Sequence, residues 1–171
     1  MMEVSEHVRT MIFPGSFDPF SLGHVDIARR ASKLCDRLVV AVMRNRAKNT
    51  VFTLEERVDM ARMCLMDLPG VEVIAYDRLL VDLFREVDAC SVVRGLRSES
   101  DFRNEAEMAA ANRLLCKGYE VILLPCQSDL AYTSSSVIRE VAYYGGDISG
   151  MVSSEIVDRV KQKLMERNAQ S

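Results

Sequence analysis

The chain has 171 residues, of which 49% are hydrophobic and 27% are charged, and its formal net charge is −3. This length and composition favour one globular domain with a sizeable core. A charge this close to zero argues against an extended basic surface for nucleic acid and against a disordered acidic tail. An anionic ligand would therefore have to be held by a local cluster of basic groups.

The five cysteines are odd in number, lie scattered along the chain, and show no C-x-x-C spacing. This pattern indicates reduced thiols in a cytoplasmic protein rather than a disulfide framework or a zinc site. The start, MMEVSEHVRT, lacks the apolar segment of a signal peptide. The longest apolar runs, LVVAVM and VILLP, are too short to span a bilayer. We expect a cytoplasmic protein without a membrane segment.

Short β-branched runs alternate with helical patterns along the chain. The predicted strands are residues 10–13, 37–42, 71–76, 90–95 and 119–124. The predicted helices are residues 24–35, 54–67, 79–88, 99–116, 135–144 and 153–168. Strands that are apolar on both faces and alternate with helices are typical of a parallel sheet covered on both sides. The sequence predicts an α/β fold, a doubly wound Rossmann-like domain with a five-stranded parallel sheet and helices on both faces.

Local signals mark several element boundaries. Thr53 and Glu56 have the spacing of a capping box at the start of the second predicted helix. Pro69-Gly70 should end that helix. The apolar positions 156, 157, 160 and 164 form one stripe of the C-terminal helix, 153–168. Residues 1–8 precede the first strand and are expected to be a flexible N-terminal extension.

Four unusual segments follow predicted strands at their carboxyl ends. They are GSFDPFSLGH (15–24), MRNRAKNT (43–50), RGLRSES (94–100) and QSDLAYTSSS (127–136). Because the carboxyl ends of parallel strands lie at one edge of the sheet, where ligands bind in open α/β folds, these segments should converge.

The residues of these segments favour phosphate binding. His24 opens a helix whose free amides attract anions, and Gly23 would let a ligand approach the backbone closely. Lys48, Arg94 and Arg97 lie on neighbouring loops, and Ser134-Ser135-Ser136 opens another helix. The glycine-rich fingerprints of other phosphate sites and the serine-hydrolase elbow are absent from the sequence, and two histidines are too few for a histidine metal site.

Each of these residues also has an ordinary explanation. His24 could be a turn residue, Lys48 a solvated loop charge, and Arg97 an ordinary surface residue. The three serines could be no more than a helix cap. Arg94 is harder to explain in this way, because a charge at the end of an apolar strand is costly without a partner. The functional interpretation therefore depends on the residues lying together.

The same residues carry a resemblance to a known family. GSFDPFSLGH resembles the [ST]-x-G-H form of the H-x-G-H motif of the nucleotidyltransferase superfamily, and TSSSVIRE is similar to its I-S-S-S-x-x-[KR]-E segment. With FTLEERV (52–58), RGLR (94–97), DF…E (101–105) and EVA (140–142), residues 10–165 resemble the bacterial phosphopantetheine adenylyltransferases. The resemblance implies that residues 1–171 form a single nucleotidyltransferase domain.

The resemblance also implies a reaction. ATP and 4′-phosphopantetheine would give 3′-dephospho-coenzyme A and pyrophosphate by direct in-line attack, with Mg²⁺ acting through the phosphates and without a confident side-chain ligand. It further implies a homohexamer and feedback binding of coenzyme A, and it implies neither a nucleic-acid partner nor a membrane partner.

Roles are implied residue by residue. His24 would stabilise the transition state. The acceptor would be bound by Ser16, Lys48, Leu80 and Arg94. ATP would be bound by Ser16, Phe17, His24, Gly95, Leu96, Arg97, Glu105, Leu130, Ala131, Tyr132, Thr133, Ser134, Ser135 and Ser136.

This chain departs from the family pattern at a few positions. Asn49-Thr50 stands where the family has a lysine and a proline, Arg103-Asn104 replaces a glutamate and a tyrosine, and Leu130-Ala131-Tyr132 replaces an aromatic-Ser-Phe run. These changes spare the phosphate-handling residues and bear on nucleotide packing and subunit contacts.

Two other functions stay open at this point. The same motif serves other acceptors, such as nicotinamide mononucleotide or, with CTP, glycerol 3-phosphate; RGLR and the Lys48–Arg94 pair weigh against them. A nucleotide-binding regulatory domain is the second alternative. It would have no need of the transition-state donor that His24 provides.

Overall fold

The computed structural model describes residues 8–44 and 49–169. The predicted N-terminal extension, apart from Val8, and the predicted phosphate ligand Lys48 lie outside the described residues. The strands are β1 (Thr10–Gly15), β2 (Arg37–Met43), β3 (Val71–Tyr76), β4 (Ala89–Leu96) and β5 (Val121–Pro125). The α-helices are α1 (Leu22–Ala31), α2 (Leu54–Leu65), α3 (Leu80–Glu86), α4 (Glu99–Leu115), α5 (Ser135–Tyr143) and α6 (Val157–Ala169).

The strands form one parallel sheet in the order β3-β2-β1-β4-β5. The chain runs outward from β1 to β3, returns to place β4 beside β1, and then continues to β5. This reversal is the topological switch point of a doubly wound fold, and it opens a crevice at the carboxyl ends of β1 and β4. The predicted fold class is confirmed.

Both faces of the sheet are buried along β1 and β2, as continuous apolar strands require, whereas no residue of the edge strand β5 is fully buried. Along β1, Met11 and Phe13 belong to one core cluster and Ile12 to the other. Along β2, Val40 packs into the first cluster and Val39 into the second. The first cluster includes buried residues of α1, α2, α5 and α6, and the second includes those of α3. The predicted helices therefore cover both faces.

The capping signals explain where two helices begin. The hydroxyl of Thr53 accepts from the amide of Glu56 at 3.2 Å, and the Glu56 carboxylate accepts from the amide of Thr53 at 2.8 Å, so the predicted capping box is present. Helix α1 begins two residues earlier than predicted, because Ser21 caps it. The stripe of the C-terminal helix is also confirmed, since Ile156, Val160 and Leu164 are buried.

Helix α4 differs from the other long helices. Of its 17 residues only Ala109 is buried. Phe102, Met108, Leu114 and Leu115 are all more than half exposed. A helix of this length that exposes so many large apolar side chains leaves surface that a partner can cover.

Among the described residues, no helix combines the length and the apolar character needed to cross a bilayer.

Candidate nucleotidyl-transfer site

A cavity of about 450 Å³ lies in the crevice at the carboxyl ends of the strands. Its lining residues come from all four segments singled out in the sequence, although these are separated by up to about a hundred residues along the chain. The first segment follows β1, the second precedes α2, the third ends β4, and the fourth precedes α5. The predicted convergence of the four segments is confirmed.

Most of the predicted site residues contribute to the lining of this cavity. They are Ser16, Phe17, His24, Arg94, Gly95, Arg97, Glu105, Leu130, Thr133, Ser134, Ser135 and Ser136. Four others are not among the lining residues: Leu80, Leu96, Ala131 and Tyr132. Leu80 packs instead against the second core cluster, and Tyr132 is 55% exposed.

His24 is held by the residue that caps its own helix. The amide of Ser21 donates to His24 Nδ1 at 3.0 Å, and the Ser21 hydroxyl lies 3.0 Å from the same nitrogen. The ring also packs on Phe17 and Phe20, with centroids 5.0 and 5.3 Å away. Because Nδ1 accepts a hydrogen bond, the proton of the neutral ring is assigned to Nε2. The helix cap therefore sets both the orientation and the tautomer of the imidazole.

The surroundings of His24 keep it neutral. Burial lowers its pKa to about 3, and the positive charges of Arg97 and Arg94 add to this effect. At neutral pH the side chain therefore offers an uncharged hydrogen-bond donor at Nε2. Such a group can stabilise negative charge that develops on an oxygen without having to give up a proton.

Three arginines line the cavity, and each has an acidic partner. Arg94 donates to both carboxylate oxygens of Glu105, at 2.9 and 2.6 Å, and to the carbonyl of Pro14 at 2.6 Å. Arg97 and Asp101 pair at 3.3 Å. Bidentate pairing fixes a guanidinium in one orientation, so Arg94 is ordered before any anion arrives. The same ion pair joins Arg94 directly to Glu105, although the resemblance implies that Arg94 binds the acceptor and Glu105 binds ATP.

The third arginine, Arg139, joins two of the segments. Its Nη1 donates to the backbone carbonyl of Asp18 at 2.6 Å, and its Nη2 donates to Ser136 Oγ at 3.2 Å. The same guanidinium lies 3.5 Å from the Asp18 carboxylate. Arg139 therefore connects the loop after β1 with the first turn of α5.

The N-termini of α1 and α5 meet at the cavity. Thr133 Oγ1 accepts from the amide of Gly23 at 3.2 Å, and Ser135 Oγ donates to the carbonyl of Pro19 at 2.9 Å. Ser134 caps α5 by accepting from the amide of Val137. The partial positive charges of two adjoining helix N-termini therefore lie at one place, which suits a polyphosphate. The free amides expected at the start of α1 are not present, because those of Leu22, Gly23 and His24 already donate to acceptors within the protein.

A neighbouring side chain explains why residue 23 is a glycine. A Cβ at Gly23 would lie 2.9 Å from Thr133 Oγ1. The side on which a Cβ would stand is therefore occupied by the threonine, while Gly23 also lines the cavity. Gly23 is needed because it allows α1 and the loop before α5 to come together.

Two buried charged residues near the cavity escaped the sequence interpretation. Asp18 is 4% exposed and accepts from the amides of Val51 and Phe52. Arg57 is 2% exposed on α2. Asp18 lies within a turn-rich segment and looked like a turn residue. Arg57 carries a usable signal, because positions 57, 60, 61 and 64 form one helical stripe whose other members are apolar.

Known proteins are similar to this chain over most of its length. The cytidylyltransferase-like family model matches residues 12–141. A phosphopantetheine adenylyltransferase of Dehalococcoides mccartyi is 45% identical over 153 residues, which cover 90% of this chain and 96% of that protein. One of Rhizorhabdus wittichii is 44% identical over 157 residues, which cover 92% and 95%.

Two solved structures share the fold. A protein described as a nicotinate-nucleotide adenylyltransferase from Vibrio parahaemolyticus has a TM-score of 0.66 at 20% identity, covering 95% of this chain and 94% of that one. A lipopolysaccharide core biosynthesis protein from Thermoplasma volcanium has a TM-score of 0.51 at 24% identity, covering 71% and 98%. At such identities the likeness extends to the fold alone.

The family model spans most of the chain, and the relatives are similar over nearly their whole length. The chain therefore belongs to the cytidylyltransferase-like family and, within it, to the phosphopantetheine adenylyltransferases.

Proposed function

We propose that this chain transfers the adenylyl group of ATP to 4′-phosphopantetheine, giving 3′-dephospho-coenzyme A and pyrophosphate. The observation that carries the proposal is the 45% identity, over 90% of the chain, to a relative named for phosphopantetheine adenylyl transfer. The cavity supports it with donors from four segments that suit two phosphate-bearing ligands.

This reaction needs a hydrogen-bond donor to the reacting phosphate more than it needs a general base. An oxygen of the acceptor phosphate attacks the α-phosphorus of ATP, the new P–O bond forms, and the bond to the β-phosphate oxygen breaks with release of pyrophosphate. A phosphate monoester is largely dianionic at neutral pH and loses no proton in the attack. The neutral His24 fits this chemistry, since its Nε2–H can stabilise charge on the oxygens of the α-phosphate.

Different groups of the cavity would bind the phosphates of the two substrates. Arg94 would hold the acceptor phosphate, with Ser16 between the two substrates. Ser135 and Ser136 at the start of α5 would lie nearest the ATP phosphates, and Arg139 is placed to support them through its bond to Ser136. The positive charges of these groups offset the mutual repulsion of the two anions, which is large at short range.

Mg²⁺ enters this proposal as part of the substrate, bound to ATP. In residues 8–44 and 49–169, no cluster of three metal-ligating side chains is present. The cavity carboxylates of Asp18, Asp101 and Glu105 are each paired with an arginine. In our proposal the ion therefore arrives with the nucleotide, and the described side chains of the cavity act on the phosphates.

Our proposal places the enzyme in the cytoplasm. All five cysteines are free thiols, which fits a reducing compartment.

The decisive experiment incubates purified protein with Mg²⁺-ATP and 4′-phosphopantetheine and follows pyrophosphate release and product mass. CTP in place of ATP, and nicotinamide mononucleotide or glycerol 3-phosphate in place of the acceptor, are the controls. We expect 3′-dephospho-coenzyme A from the first pair alone, with added coenzyme A slowing its formation. A folded preparation that yields none of this product would overturn the proposed function.

Replacing His24 tests its role in the transition state. We expect His24→Ala to lower kcat by about 100-fold or more, since one donor to the reacting phosphate is lost. The dissociation constant for ATP, measured by calorimetry, should change far less. An equal loss of ATP affinity and turnover would instead make His24 a residue that binds the ground state.

The protonation of His24 can be followed directly by NMR. Its ring ¹⁵N shifts should show the Nε2–H tautomer and stay constant from about pH 8 to about pH 5, because its pKa is about 3. Since the unfolded chain takes up this proton near pH 6.5, the free energy of unfolding should fall as pH decreases from there towards 3. Urea unfolding of His24→Asn should lack this component. A ring that titrates near pH 6.5 in the folded protein would contradict the assignment.

Our proposal includes a homohexamer, which the exposed apolar side chains of α4 support. Sedimentation velocity should give a mass about six times that of the 19.3 kDa chain. The double variant Met108→Glu, Leu115→Glu should sediment as a smaller species, because charges on this face oppose its burial. A wild-type protein that sediments at the mass of one chain would contradict the hexamer.

A further inference from the structure

Arg57 is a buried cation that does not line the cavity. It is 2% exposed, and its hydrogen bonds go to backbone carbonyls. Nη1 donates to the carbonyl of Ser16 at 2.5 Å and to that of Met43 at 3.0 Å, and Nε donates to that of Phe52 at 3.3 Å. Burial lowers the pKa of Arg57, while the nearby charge of Asp18 opposes the shift. Keeping such a charge in a core is costly unless its donors are used.

The three carbonyls belong to three different segments. Ser16 follows β1, Met43 ends β2, and Phe52 immediately precedes the cap of α2. These segments are distant in sequence but meet beside the cavity, where Ser16 and the neighbouring residues Asn49 and Thr50 form part of its wall. One planar guanidinium, with donors in fixed directions, therefore connects all three.

Asp18 binds the segment before α2 as well, through the backbone amides of Val51 and Phe52. The amide of Phe52 donates to Asp18 Oδ1 at 2.9 Å, and the amide of Val51 donates to Oδ2 at 3.0 Å. Phe52 therefore has its N–H bound by Asp18 and its C=O bound by Arg57. Both charged groups are buried, so water cannot readily replace either contact. The wall that carries Asn49 and Thr50 is thereby fixed to the loop that carries Ser16.

We propose that Arg57 is a positioning residue for adenylyl transfer. It holds Ser16 and the connection before α2 (residues 49–52) in a fixed relative position and thereby sets the placement of the acceptor phosphate. This inference rests on the function proposed above. Arg57 acts through the backbone of residues that line the cavity and not by touching a substrate. A shift of these groups by about 1 Å is enough to cost a large factor in rate.

The effect falls on the acceptor more than on ATP because of where the contacts lie. Ser135 and Ser136, which are proposed to lie nearest the ATP phosphates, belong to the first turn of α5. They are fixed by the Thr133–Gly23, Ser135–Pro19 and Arg139–Asp18 contacts. Arg57 makes none of these bonds, so its loss loosens the β2 side of the cavity and leaves the α5 side in place.

The test compares Arg57→Met, Arg57→Lys and the matched control Arg62→Met. Arg62 lies on the same helix and also donates to a backbone carbonyl, that of Val73 at 3.2 Å, but away from the cavity. We expect Arg57→Met to lower kcat/KM for 4′-phosphopantetheine by about 10- to 100-fold, with less than about a threefold change in the dissociation constant for ATP. Arg57→Lys should recover part of the loss, and Arg62→Met should behave as wild type.

Hydrogen exchange provides a readout that does not depend on turnover. The amides of Val51 and Phe52 should exchange faster in Arg57→Met than in wild type, while those of α5 stay unchanged. If Arg57→Met does not fold, Arg57→Lys carries both measurements, with smaller effects in the same direction.

The outcomes separate this inference from the proposed function. Unchanged exchange at Val51 and Phe52, or parallel losses of acceptor kinetics and ATP affinity, would overturn the positioning role even in an active enzyme. A wild-type protein that forms no 3′-dephospho-coenzyme A would overturn the proposed function, and with it the effect on the acceptor. The exchange data would then still decide whether Arg57 holds the connection before α2.

Discussion

Two phosphate-bearing substrates have to lie within bonding distance of each other although both are negatively charged, and the site is organised around this repulsion. No single side chain is sufficient to offset it. The doubly wound sheet solves the problem by bringing the loops after β1, β2, β4 and β5 to one edge, each with its own donors. The reversal of strand order between β1 and β4 is what makes room for them to meet.

Preorganisation is the common property of these donors. Arg94 is fixed by two bonds to Glu105, His24 by the cap of α1, and the first turn of α5 by Ser134. Each is oriented before a substrate arrives, so little reorganisation remains for the reaction itself. Arg57 contributes to the same preorganisation without lining the cavity, since it orders the backbone of Ser16 and of the residues before α2.

The fold and the location of the site could be predicted because both depend on local patterns. Continuous apolar strands between helices indicate a parallel sheet, and unusual residues after four of the five strands indicate its functional edge. The contacts that could not be predicted join residues far apart in sequence. Arg57 meets Ser16 across 41 positions and Arg94 meets Pro14 across 80. A sequence shows that such side chains are charged but not which carbonyl or carboxylate lies opposite them.

Gly23 and His24 also show what a local sequence pattern can and cannot predict. Sequence reasoning correctly placed a small residue and a histidine at the start of a helix. The reason for the glycine lies 110 residues away, in Thr133, and the cap that orients the histidine becomes visible only when the helix is seen to begin at Leu22. Packing partners, not residue types, decide these details.

The pairing of every described cavity arginine with a carboxylate has a consequence for how ligands arrive. Arg94, Arg97 and Arg139 are balanced by Glu105, Asp101 and Asp18, so these lining residues carry no net charge. Seen from beyond a Debye length, these six side chains together exert little pull on an anion. A phosphate that reaches the three guanidinium groups has to share them, at short range, with carboxylates that already hold them.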